Sequence, residues 1–110
     1  MAHFITTFQY TQDGKKGLLS QPDDRGPVIE NMLNLLGAKM VGYYVTMGTQ
    51  EAVIISEADD ASHLKAVAMV AEDSGSITNI SSVSAWTSED FVAVCAAAGK
   101  ASGAYTPPGT

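Results

Sequence analysis

Apolar and polar residues alternate along the start of the chain. Phe4, Phe8 and Tyr10 share one parity of a run rich in Phe, Ile, Thr and Tyr, the period of a strand with one buried face. A strand is predicted from His3 to Tyr10. The next stretch, TQDGKKGLLSQPDDRGP, carries three glycines and two prolines; these would break a long helix, so loop and turn are expected there, with at most a short helical turn at Leu18-Leu19. Pro27 suits a first helical turn. Ile29, Met32, Leu33 and Leu36 then recur at helical spacing, and Gly37 is placed to end that helix in a left-handed conformation.

Two β-rich runs follow, Lys39 to Met47 and Glu51 to Glu57, joined by Gly48-Thr49-Gln50; they read as an antiparallel hairpin. Asp59 or Asp60 is expected to cap a second helix with its apolar stripe on Leu64, Val67, Ala68 and Ala71, ending near Ser74-Gly75. The β-branched and serine-rich run from Ile77 to Trp86 is a fourth strand. Thr87, with Asp90 three residues on, resembles a capping box for a third helix, whose buried face is expected on Phe91, Val94, Cys95 and Ala98. One domain over residues 1–100 is expected, with a tail over 101–110 that is flexible or ordered only on a neighbouring subunit.

This order of elements matches a split βαβ arrangement: an α+β, ferredoxin-like βαββαβ fold with a four-stranded antiparallel sheet and an extra C-terminal helix. Right-handed crossovers put both main helices on one sheet face. Both parities of the strands carry apolar residues, Ile5 against Phe4 and Phe8, and Ile54 against Val53 and Ile55, so the other face is expected to be at least partly buried, and an isologous dimer stacking sheet on sheet is its simplest cover.

The residues that carry a family resemblance are Tyr10-Thr11 at the end of the first strand, GAKMVGYYVTMG from Gly37 to Gly48, EAVIISEADD from Glu51 to Asp60, and SAWTSEDF from Ser84 to Phe91. Together they make the chain resemble the GYD domain family, a group within the dimeric α+β barrel superfamily. The family's Gly-x-Tyr-Asp reads Gly48-Thr49-Gln50-Glu51 here, so the glycine is kept, glutamine replaces tyrosine and glutamate replaces aspartate. The resemblance implies a ferredoxin-like subunit in a dimer. It transfers no established catalytic residue, because the superfamily spans cofactor-free monooxygenases, isomerases, haem enzymes and sensing modules.

Charge narrows the partners. The 110 residues hold 12 acidic and 6 basic side chains, for a net charge of −6, and the basic ones form no stripe that would neutralise phosphates. Nucleic acid and anionic membranes are poor partners. A lone cysteine, Cys95, cannot close a disulfide within the chain, and the opening residues lack a signal-peptide pattern, so a soluble cytoplasmic protein is expected.

The candidate chemistry is sparse. Glu51, beside the hairpin turn, is a candidate base or a solvated turn residue; His3 is a candidate acid, base or lone ligand, or simply an exposed terminal residue. Tyr43 and Tyr44, adjacent in a strand, point to opposite faces, so only one can look into a given pocket. Tyr44, Tyr43 and Trp86 are the candidate walls of a site for an aromatic ligand, against the alternative that they only pack. His63 is expected to face solvent. No paired-ligand spacing supports a metal, Cys95 on an apolar stripe is not expected to be a nucleophile, and no tightly bound cofactor is expected. Two functions stay open: an enzyme or binding protein for a small apolar or aromatic molecule held between sheet and helices, and a non-catalytic oligomeric or sensing module.

Overall fold

A computed structural model describes residues 1–110. Its centre is β1 (Ala2–Tyr10), paired antiparallel to β3 (Ala52–Ala58) on one side and β4 (Ile77–Ala85) on the other; β2 (Lys39–Val45) pairs antiparallel to β3. The sheet order is β2-β3-β1-β4. With α2 (Gly26–Leu35) and α3 (Ala61–Asp73) as the crossovers, this is the ferredoxin-like α+β fold that the sequence pattern predicts.

One face of the sheet packs on helices. Phe4 of β1, Ala58 of β3, Leu33 of α2 and Leu64 of α3 are buried together, and Phe8, Ala52 and Ile54 form a second buried group towards the hairpin end. The strict alternation along β3, where Ala52, Ile54, Ser56 and Ala58 are buried and the residues between them only partly so, marks it as a central strand with one core face. The opposite face of the sheet carries Ile5, Val53 and Ile55, half-buried, and Val83 of β4, exposed.

The helix ends obey the expected capping chemistry. Gly37, at φ +77, sits where α2 ends, and the Gly37 and Ala38 amides donate to the carbonyls of Asn34 and Leu33 at 3.1 and 2.9 Å. That pair of bonds is a Schellman closure, which needs the left-handed residue. Gly37→Ala is expected to lower the unfolding free energy by about 1–2 kcal/mol, read from urea midpoints at unchanged slope. Asp60 caps α3 by accepting from the Ser62 amide at 2.9 Å, and this bond holds its carboxyl below the ordinary aspartate value.

Two sequence expectations are corrected. The glycine-rich stretch after β1 is not a loop but a helix, α1 (Gln12–Ser20). Thr11 starts it: its hydroxyl accepts from the Gly14 amide at 3.1 Å and donates to the Gly75 carbonyl at 2.6 Å, while its amide donates to the Ser76 carbonyl at 3.0 Å. Gly14, which looks like a helix breaker, lets the helix approach the chain entering β4, because a Cβ there would overlap the Ser76 carbonyl oxygen. Close packing therefore overrides propensity.

The second correction concerns α4 (Phe91–Ala101). Thr87 does accept from the Asp90 amide at 3.0 Å, one half of the expected capping box, but the helix proper begins at Phe91 and Asp90 before it makes no side-chain cap bond. Its predicted buried face, however, is not buried: every residue from Trp86 to Thr110 is exposed, Phe91, Val94, Cys95 and Ala98 included. The helix stands away from the sheet, with the 3-10 turn Ser102–Ala104 as its main packing neighbour. No helix is long and apolar enough to cross a membrane.

Register shifts occur in both edge strands, between Met40 and Gly42 in β2 and opposite Thr7–Gln9 in β4. In β4 the shift is accompanied by Asn79 at φ +53. Each is a bulge, and each moves the residues beyond it to the other sheet face.

Candidate functional site

The bulge in β2 decides which tyrosine enters the protein. Without it, Tyr44 would share the face of Met40. With Val41 as the extra residue, Tyr43 lies opposite Ile54 on the core face and Tyr44 lies opposite Val53 on the open face. Tyr43 is half-buried, whereas Tyr44 is 61% exposed. Gly42 makes room for the Tyr44 ring, which lies 3.0 Å from where a Cβ on Gly42 would be.

Tyr43 joins an aromatic group at the hairpin end of the sheet. Phe8 meets Tyr10 edge-on at 5.4 Å between ring centres and Tyr43 edge-on at 6.3 Å, the geometry that aromatic quadrupoles favour. The two phenol oxygens lie 3.1 Å apart. This group floors a cleft of about 510 Å³ walled by α1, α2 and the end of α3, with Leu18, Ile29, Met32 and Val70 as apolar lining and Asp13, Asp23 and Arg25 at its polar positions. A recess of about 240 Å³ shares Tyr10, Tyr43, Leu18 and Arg25 with it. An adjoining apolar cavity beneath α3, about 40 Å³, shares Phe8, Ile29, Ala71 and Ile77 with the cleft and has room for no more than a few waters. The cleft is within the size range of small-molecule sites.

Its chemistry follows from the phenol pair. Two hydroxyls in contact use one proton between them, leaving one donor and free lone pairs for a bound molecule. Burial, and then the hydrogen bond with Tyr10, push the Tyr43 phenol well above the ordinary tyrosine value, against a smaller opposing effect of Arg25. At neutral pH Tyr43 is therefore a hydrogen-bonding group and not a base. The folded chain keeps this proton at pH values where the unfolded chain loses it, so the associated stability is intact below about pH 10 and is lost as pH rises beyond it. Urea melts at pH 8 and pH 10.5 are expected to show a larger alkaline loss for the natural chain than for Tyr43→Phe.

Glu51 lies just outside the cleft. Its Oε1 accepts from the Tyr10 amide at 3.2 Å, its Oε2 faces Lys15 Nζ of α1 at 3.3 Å, and its own amide donates to the Phe8 carbonyl at 3.0 Å. Glu51 thus ties the hairpin to the end of β1 and to α1, a structural reason that its sequence position does not reveal. The ion pair is half-exposed and contributes under about 1 kcal/mol.

The remaining candidates lie elsewhere. His3 Nε2 is 3.0 Å from Glu57 Oε1 across the β1–β3 pair, near the far end of the sheet. Trp86, 59% exposed, sits where β4 gives way to the chain leading to α4. Of Glu51, His3, Tyr44, Trp86 and Tyr43, only Tyr43 lines the cleft. Tyr10, Arg25 and the whole wall supplied by α1 line the cleft as well, and none of them is among the residues that the sequence pattern singles out for chemistry. A signal for α1 was present: Thr11 three residues before Gly14 is an N-cap position, masked by the glycines behind it. No group of three or more His, Cys, Asp or Glu side chains is gathered in a way that would hold a metal ion.

A family model for the GYD domain matches residues 4–95. The chain belongs to the GYD domain family. Among solved structures it is similar to an uncharacterized NIPSNAP domain protein from Burkholderia xenovorans, at 21% identity and a TM-score of 0.46 over 80% of this chain and 95% of that one. No curated protein matches it. In this GYD domain the motif region, Gly48 to Glu51, forms the β2–β3 turn, with Gly48 at φ +126 and the Thr46 hydroxyl donating to the Gln50 carbonyl at 2.7 Å. The glutamate of the motif is the residue that fastens this turn beneath α1.

Proposed function

We propose that this GYD domain binds a small, largely apolar or aromatic molecule in the cleft between the sheet and α1, α2 and α3, without a tightly bound cofactor. The observation that carries this reading is the Tyr10–Tyr43 phenol pair on the floor of a cleft of about 510 Å³. The apolar walls suit a ring system, and the free phenol proton suits a carbonyl or hydroxyl oxygen on it. We place the protein in the cytoplasm as a homodimer, joined through the open sheet face that bears Ile5, Val53, Ile55 and Val83. Tyr44 lies on that face and Trp86 beside the route to α4, so in this reading both serve the dimer. Glu51 and His3 remain the candidates for proton transfer if the ligand is also transformed; Glu51 is the nearer, through its bond to the Tyr10 amide.

The test uses coumarin as a probe, a planar bicycle with one carbonyl. Titration into 15N-labelled protein is expected to shift the amides of Tyr10, Leu18, Tyr43 and Ala71, and Tyr43→Phe to weaken binding by about 3- to 10-fold, the worth of one hydrogen bond. Shifts confined to the open sheet face would overturn the cleft as the site. A second reading, a non-catalytic oligomeric module, is favoured by one observation, the apolar helix α4 with no buried residue. Native mass spectrometry of gently purified protein separates the two: a retained small molecule supports the first, and an oligomer with empty subunits the second.

A further inference from the structure

The apolar helix α4 has no place in its own subunit. Between Phe91 and Gly99 it contains no charged residue, and Phe91, Val92 and Val94 are 51%, 67% and 37% exposed. A helix that is apolar around its circumference is ordinarily enclosed. Here the chain is drawn out instead. Its radius of gyration is 17.8 Å, against about 13 Å expected for a compact domain of this length, and its long axis measures 60 Å against 34 and 22 Å for the others.

The surface area states the same surplus. A compact monomer of 11.5 kDa is expected to expose about 5,800 Å², whereas this chain exposes 7524 Å². The excess of about 1,700 Å² is roughly twice what each partner buries in a stable interface of standard size.

Where the arm starts indicates what covers it. β4 is an edge strand, and its last residue, Ala85, lies beside His3 at a corner of the sheet. Val83 on the open sheet face, Trp86, and Phe91 and Val92 of α4 are all exposed, with the polar stretch Thr87–Asp90 between Trp86 and the helix. A copy stacked on the open face would cover Val83, which pairs with Ile5 and lies just before Ala85 and Trp86, so the arm departs at the border of that contact. We propose that α4 is an exchanged arm, which leaves its own subunit at Trp86 and packs on the body of a second copy of this chain, with the second copy's arm packing on the first by the same two-fold operation. The inference rests on the sheet-on-sheet dimer proposed above and adds to it a helix that each subunit lends to the other.

The experiment is photo-crosslinking from inside the arm. Phe91 is replaced by p-benzoylphenylalanine, unlabelled and 15N-labelled chains are mixed in equal amounts and allowed to exchange, and the sample is irradiated and digested, with sedimentation velocity run in parallel. Cross-links that join a labelled arm peptide to an unlabelled body peptide are expected. The companion variant Val92→Asp puts a charge on a position that is exposed in the single chain, so folding of the body is retained, while the dimer dissociation constant is expected to rise by about 30-fold or more, as for loss of a buried interface anchor. A dimer whose cross-links stay within one isotopic chain, or whose dissociation constant ignores Val92→Asp, overturns the exchanged arm and leaves the sheet-on-sheet dimer standing. A monomer at every concentration overturns both.

Discussion

Phe8→Ala is expected to lower the unfolding free energy by about 3–5 kcal/mol, the cost of emptying a buried aromatic site. Phe8 is 2% exposed and packs with Ala52 and Ile54, so the change removes nearly the whole of a buried aromatic side chain's contacts. For a domain whose total stability is of the order of 5–15 kcal/mol, this is a large share. The loss goes beyond volume, because Phe8 makes the perpendicular ring contacts with both Tyr10 and Tyr43. Thermal melts should show the midpoint falling by more than about 12 °C. Phe8→Leu, which retains most of the volume, should cost markedly less stability yet still weaken coumarin binding, since the two phenols lose their common support. Equal stability of Phe8→Ala and the natural chain would refute the packing described for this end of the sheet.

Gly14→Ala is expected to destabilise by about 1–3 kcal/mol, the usual range for forcing extra volume into a packed contact. On helix propensity alone alanine should help. It cannot help here, because the new methyl group would occupy the position of the Ser76 carbonyl oxygen, and α1 must lift away from the chain entering β4. The lift strains the Thr11–Ser76 bond and moves the wall of the cleft, so binding should fall together with stability. Gly17, in the same helix, has no neighbour within 4 Å of a built Cβ, and Gly17→Ala is expected to stabilise by about 0.5–1 kcal/mol. Opposite signs for two alanines three residues apart in one helix would be hard to obtain from propensity and are read directly from urea midpoints. If both variants stabilised, α1 would not be seated on Ser76.

The framework of this protein is legible in its sequence because it rests on local periodicity. The alternation of β1, the helical spacing of Ile29, Leu33 and Leu36, and Gly37 at a helix end are each decided within a few residues. The site is less legible because it rests on contacts distant in sequence. Gly14 is a breaker until Ser76 is beside it, and Glu51 is an unexplained turn residue until the Tyr10 amide and Lys15 are placed next to it. The assignment of Tyr43 to the cleft turns on a single inserted residue at Val41, which no count of period two can supply. Gly42, a glycine inside a strand, was the available hint of a bulge. For α4 the sequence shows that the helix is apolar and where it begins, but not that its own subunit offers it no surface.

The left-handed Asn79 in β4 has a consequence for how the chain avoids association of the wrong kind. An edge strand with regular backbone is a template on which further strands add without limit, and fibres grow along that direction. Here the outer rim of β4 is interrupted by the bulge around Asn79, and Ser81, Ser82 and Ser84 leave Val83 as the one apolar side chain beyond Ile80 before Ala85, so a further strand meets neither an even ladder nor a continuous apolar row. Growth sideways is thereby discouraged, while the flat of the sheet stays available. The asymmetry matters because pairing face to face closes after two copies, whereas pairing edge to edge does not.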